Sequence, residues 1–195
     1  GESTFRAMFS RNEIYDYDNI VVLLTHLHAD HIGSLGSFLS FCKNVLDKKV
    51  LLAAEEDTIV NILAQSGVHT DKYNFTTDFK ECEAIGLSIY VKREIHATDM
   101  LCCGFIFECN GEKIYYSGDT SNIPSDILNA FLSGEINTMY QECTFLDTDS
   151  TSHFSLKKLC EIIPYEERQR VYCMHLGDDI EDDIVKAGFR VPKIL

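Results

Sequence analysis

Three imidazoles and a carboxylate fall within six positions of this chain, in Thr25-His26-Leu27-His28-Ala29-Asp30-His31-Ile32-Gly33, directly after the apolar run Ile20–Leu24. No other segment restricts the fold as strongly. An aliphatic run, a polar stretch and then apolar residues at helical spacing read as strand, turn and helix. A spacing of two keeps His26 and His28 on one side of extended chain. Asp30 and His31 come at the turn into the helix and can point back into the same volume. A borderline-soft divalent ion such as zinc takes such nitrogen and oxygen ligands in nearly tetrahedral sets. The segment therefore reads as a metal-binding turn.

Composition narrows the setting. A length of 195 residues fits a single domain spanning 1–195, since domains run to about 100–200 residues. At 45% hydrophobic and 25% charged residues the chain has enough apolar material for a core. Ile20–Leu24, as long as any apolar run in the chain, is far too short to cross a bilayer, so no membrane role is expected. The formal net charge is −14, and the positive residues are scattered, with only short pairs such as Lys48-Lys49 and Lys157-Lys158. That balance argues against long nucleic acid as a partner. It leaves room for a small anionic molecule held by local groups. Eight cysteines (42, 82, 102, 103, 109, 143, 160 and 173) include no CxxC pair and are too sparse for a disulfide scaffold. They read as small buried thiols, which suits a reducing, cytoplasmic compartment.

The pattern along the chain is mixed α and β, without internal repeats or a linker. Strands are expected over 20–25, 50–54, 87–93, 104–109, 113–117, 136–141 and 170–174. Helices are expected over 31–46, 56–66, 124–133, 155–163 and 179–187. Asn110-Gly111 signals a two-residue hairpin. Asp30, Ser125 and Ser155 stand where helix N-caps are expected.

The HxHxDH string resembles the signature of the metallo-β-lactamase fold superfamily. That resemblance calls for a further His at a strand end, then an Asp and a final His, each after a strand. His96, Asp119 within Ser117-Gly118-Asp119-Thr120, and His175 after Val171–Met174 occur in that order. The resemblance implies an α/β (α+β) fold, the four-layer αββα sandwich. It also implies that the leading strands lie before Gly1, because Gly1-Glu2-Ser3-Thr4 is similar to a segment that follows the first of them. It implies two divalent metal ions, zinc with manganese or iron as alternatives. His26, His28 and His96 would hold the first; Asp30, His31 and His175 would hold the second; Asp119 would bridge them. Two ions sharing a water lower its pKa enough to supply hydroxide near neutral pH. Asp30 can orient that hydroxide. Of the two histidines outside this scheme, His153 is taken up next and His69 reads as a solvated loop residue.

Tyr140-Gln141-Glu142-Cys143-Thr144-Phe145 and Ser152-His153-Phe154-Ser155 look like elements of the ribonuclease Z-like phosphodiesterase branch. That branch implies that His153 contacts the phosphate and protonates the leaving oxygen, with Glu142 orienting it, and that homodimers form. A His acid suits near-neutral pH. One feature departs from the branch. Where a basic pair usually follows the last metal His, this chain has Asp178-Asp179-Ile180-Glu181-Asp182-Asp183, and no basic, Gly-rich arm occurs. Like charge beside the site repels a polynucleotide, although carboxylates also suit a helix start. The expectation is a di-metal hydrolase of a small phosphodiester or nucleotide-like substrate. The alternatives are a hydrolase of a carboxyl derivative (thioester, lactone or β-lactam) and a non-catalytic metal-binding or sensor protein.

Overall fold

The computed structural model describes residues 5, 8, 13–145, 152–177 and 179–192. Gly1-Glu2-Ser3-Thr4 and Asp178, which figured in the expectations above, lie outside the described residues. The chain groups into two compact units, Gly1–Gly86 and Leu87–Leu195.

The first unit carries a parallel three-stranded sheet of β1 (Val21–Leu23), β2 (Val50–Ala53) and β3 (Tyr73–Thr76), in that order. After β1 come α1 (Ala29–Ile32) and α2 (Leu35–Asn44), and α3 (Thr58–Gln65) links β2 to β3. Leu35, Phe38, Leu39 and Cys42 of α2 recur at helical spacing and bury one stripe against Val50 and Leu52 of β2 and Ile59 and Leu63 of α3. The helix expected over 31–46 is in fact two, broken at Gly33-Ser34. Glycine and serine hold helical geometry weakly, so the break falls there. Asp30 is not the N-cap. His28 takes that position, and Asp30 sits in the first turn of α1, where a carboxylate suits the helix dipole. β3 was not anticipated at all.

The second unit carries a five-stranded mixed sheet in the order β4 (Ser88–Arg93), β5 (Cys103–Cys109), β6 (Glu112–Tyr116), β7 (Thr138–Glu142), β8 (Val171–Met174). β4, β5 and β6 pair antiparallel, and β6, β7 and β8 pair parallel. Asn110 and Gly111, at φ +53° and +81°, form the expected tight hairpin between β5 and β6. Two antiparallel steps give β4 the same direction as β6. The C-terminal ends of β4, β6, β7 and β8 therefore meet at one edge of the sheet.

Helices α4 (Ser125–Leu132), α5 (Leu156–Ile162) and α6 (Glu181–Lys186) cover one face of this sheet. Ile127 and Phe131 of α4, Leu159 of α5 and Ile184 of α6 pack with Tyr115, Met139, Val171 and Cys173. Arg170 ties the end of α4 to the start of β8 by donating to the carbonyls of Phe131 at 2.9 Å and Asn137 at 3.0 Å. Ser155 caps α5 through the Lys158 N–H. Pro124, not Ser125, holds the N-cap of α4. Glu181, Asp182 and Asp183 fill the first turn of α6, so that part of the acidic run serves a helix start. Among the described residues no helix is long and apolar enough to cross a membrane.

Candidate metal centre

In the first unit, the chain leaves β1 in extended form and enters α1 within a few residues, which draws the four polar side chains together. His26 Nε2 lies 3.0 Å from His28 Nδ1. The rings of His26 and His31 are 4.0 Å apart, and His31 Nε2 is 3.3 Å from Asp30 Oδ2. His26 is buried, and the Thr25 hydroxyl sits 3.1 Å from its Nδ1. A partner on Nδ1 fixes the ring and turns Nε2 toward His28. His69 is exposed in its loop, as expected.

In the second unit, the strand ends at the common edge supply His96, Asp119, Glu142 and His175. Two backbone devices aim them. Gly118 at φ +61° turns the chain so that Asp119 follows β6 closely. Ser117 Oγ accepts from the Glu142 N–H at 2.9 Å, which registers that turn against β7. Gly104 is required by close approach: a Cβ there would lie 2.6 Å from the Tyr116 carbonyl oxygen and 2.8 Å from that of Ser117. His153 is brought in from the loop before α5. The Thr144 N–H donates to Phe154 O at 2.8 Å and the Leu156 N–H to Thr144 O at 2.9 Å, pinning that loop beside the end of β7.

The resulting distances suit an ion. Asp119 Oδ2 lies 3.7 Å from His96 Nε2 and 3.5 Å from His175 Nε2. These gaps are long for direct hydrogen bonds. Two ligand atoms on one tetrahedral zinc, each bound at about 2.0–2.1 Å, are themselves about 3.3 Å apart. His96 Nδ1 donates to Ser152 O at 2.6 Å, which leaves Nε2 with its lone pair toward Asp119. Ligand atoms of Asp119, Glu142, His153 and His175 all lie within 4.8 Å of one another. Glu142 is wholly buried; its Oε1 accepts from His153 Nδ1 and lies 3.6 Å from His175 Nδ1. His175 is also strained, a non-glycine residue at φ +54°.

Sequence reasoning passed over one part of this region. Glu94, two residues before His96, is a buried carboxylate that accepts from Tyr115 Oη at 2.5 Å and lies 3.0 Å from Thr120 Oγ1. Burial pushes its pKa up to about 7, and Asp126 adds to the rise, against the lowering pull of the Tyr115 and Thr120 hydrogen bonds. The Tyr116 phenol is likewise raised, chiefly by burial and then by the Asp119 charge.

The family model of the anti-Pycsar protein Apyc1 matches residues 1–191. The anti-Pycsar protein Apyc1 of Bacillus phage BSP38 is 28% identical over 194 residues, covering 86% of this chain and 72% of the relative. Among solved structures, the metallo-β-lactamase fold protein YhfI from Bacillus subtilis superposes with a TM-score of 0.72 at 18% identity, covering 98% of this chain and 80% of its own. The short form of human tRNase Z superposes with a TM-score of 0.64 at 17% identity, covering 92% of this chain and 80% of its own. The fold is the metallo-β-lactamase fold, and tRNase Z stands among its structural neighbours, in agreement with the resemblance carried by HxHxDH.

Proposed function

The chain belongs to the family of the anti-Pycsar protein Apyc1, and from that membership we propose that it is a di-metal phosphodiesterase that opens a cyclic nucleotide. A metallo-β-lactamase fold with candidate His and Asp metal groups suits a metal-dependent hydrolase. The anti-Pycsar designation of the relatives points toward a cyclic nucleotide signal. Such a molecule is a small phosphodiester bearing one negative charge, within reach of an acidic protein that offers a local positive centre.

The observation that carries the phosphodiester reading is the pairing of His153 with the buried carboxylate of Glu142, in one cluster with Asp119 and His175. Hydrolysis of a thioester, whose thiolate departs without a proton, has no comparable use for a donor held in this way. On the family resemblance, His26, His28 and His96 would hold one divalent ion, zinc by preference, and Asp30, His31 and His175 the second, with Asp119 serving both. When bound, the two ions supply Lewis acidity and a water acidified to near neutrality. Asp30 accepts a hydrogen bond from the attacking water and directs its lone pair at phosphorus. The water gives up one proton to solvent as the new P–O bond forms and the ester P–O bond on the opposite side breaks. His153 Nε2 gives its proton to the departing ribose oxygen, while Glu142 holds Nδ1 and fixes the ring's orientation. The product is a phosphomonoester. A cytoplasmic setting agrees with eight cysteines that form no disulfide among the described residues.

Zinc-loaded full-length protein is expected to convert a cyclic mononucleotide to its phosphomonoester, followed by phosphorus NMR. Asp119→Ala is expected to abolish turnover. A metal-replete protein that leaves cyclic mononucleotides and generic phosphodiesters intact overturns this reading and moves the search to thioesters and lactones.

A further inference from the structure

Glu94 stands just beyond the end of β4, and the reading given above leaves it without a role. Its placement is costly. A carboxylate at a strand end can usually stay in water, yet Glu94 is buried, with each oxygen against a hydroxyl: Tyr115 Oη at 2.5 Å and Thr120 Oγ1 at 3.0 Å. Thr120 is held from two sides. Its hydroxyl lies between Glu94 and the Asn122 carbonyl, 2.8 Å away, and its backbone N–H donates to Glu142 Oε2. The Asp119-Thr120 turn, which hinges on the positive φ of Gly118, is thus gripped between two buried carboxylates, Glu94 just past β4 and Glu142 at the end of β7. Asp119 faces His96 and His175, and Glu142 holds His153.

We propose that Glu94 is a positioning residue: by clamping the Thr120 hydroxyl it fixes Asp119 between His96 and His175 and keeps the Thr120 N–H on Glu142 beneath His153. The clamp rests on the di-metal reading of the site. Through Thr120, one carboxylate thereby sets both the metal-facing oxygen of Asp119 and the orientation of the proton donor. Partners that orient ligands in this way are part of how a site retains its metal.

Thr120→Val removes the hydroxyl at nearly constant shape, and Thr120→Ser keeps it. Each is compared with the wild type, zinc-loaded, for the rate of zinc transfer to a chromogenic chelator and for kcat and KM on a cyclic mononucleotide. Thr120→Val is expected to release zinc about tenfold faster or more and to lose about tenfold in kcat, with KM changed by less than about twofold. Thr120→Ser is expected to restore both to within about threefold. If Thr120→Val does not fold, Glu94→Gln carries the test, with zinc release expected to rise by at least about threefold. Zinc release and kcat at wild-type values in these variants, even with a lowered Tm, reduce Glu94 to a structural residue and overturn the proposal. Faster zinc release beside a wild type inert on cyclic nucleotides supports the clamp and overturns the substrate reading. A wild type that holds no zinc overturns both.

Discussion

Glu142 is fully buried while the His153 side chain it holds is 39% exposed. The carboxylate accepts from Nδ1, so the ring keeps its other nitrogen free to face a substrate. A general acid needs this arrangement: an anchored inner edge and an outer edge that reaches the leaving group. His153→Ala is therefore expected to cost about 10²–10⁴ in kcat on a substrate with a poor, alkoxide leaving group. On an ester of p-nitrophenol, which departs without protonation, the loss is expected to be at least tenfold smaller. Equal losses on both substrates would remove His153 from the proton-donor role. Glu142→Gln should follow the same pattern with smaller losses, because the amide can still meet Nδ1 but carries no charge.

The buried carboxylate of Glu94 makes stability depend on pH in a direction opposite to most acids. Its pKa is raised from an ordinary 4.5 to about 7. A raised folded-state pKa contributes stability that is full below pH 4.5 and lost as pH rises through about 7, because folding then requires a buried charge. The shift corresponds to roughly 3 kcal/mol at about 1.4 kcal/mol per unit. Asp126, lowered chiefly by its hydrogen bond to Lys92, pulls the other way, so the contribution of Glu94 is best read as a difference. The stability of metal-free wild type relative to Glu94→Gln, from denaturant titration, is expected to fall between pH 4.5 and 8. A pH-independent difference would mean that Glu94 keeps an ordinary pKa in the fold.

Much of the fold was legible because the strands read as apolar runs and the hairpin as Asn110-Gly111. His26, His28, Asp30 and His31 could be singled out from local spacing alone. His96, Asp119, Glu142, His153 and His175 are far apart in sequence, yet β4, β6, β7 and β8 bring their C-terminal ends to one edge. A strand order of that kind becomes legible only through a family pattern. Glu94 escaped because its partners Tyr115 and Thr120 are 21 and 26 residues away, and an acid at a strand end normally signals solvent. β3 escaped because Tyr73-Asn74-Phe75-Thr76 is short and follows a polar loop, so its place comes from pairing with β2.

Gly104 offers a test of how rigidly the Asp119 turn is held. An alanine methyl there would meet backbone oxygens of Tyr116 and Ser117, which cannot rotate away as a side chain could. Gly104→Ala is expected to destabilise by about 1–3 kcal/mol, the usual cost of overpacking. That corresponds to about 2–4 °C in Tm for each kcal/mol in a chain of this size. Displacement of Ser117 carries to Asp119, so kcat should fall with the Tm. An unchanged Tm would show that β5 and β6 can part without penalty.

His175 separates stability from function most directly. Its φ of +54° is a conformation that a side chain with a Cβ adopts only at a cost of about 1–3 kcal/mol. The fold accepts that strain where β8 ends, at the point from which Nε2 reaches Asp119. Glycine relieves the strain but has no imidazole. In metal-free protein, His175→Gly is expected to be as stable as the wild type or more so by about 1 kcal/mol. On adding zinc the order should invert, because binding to the folded state alone raises Tm with occupancy, and on the proposed ligand set the variant lacks one ligand of the second ion. Thermal melts with and without zinc decide this. A zinc-dependent rise in Tm as large in His175→Gly as in the wild type would remove His175 from the ligand set, and a metal-free variant less stable than the wild type would show that the positive φ carries no strain.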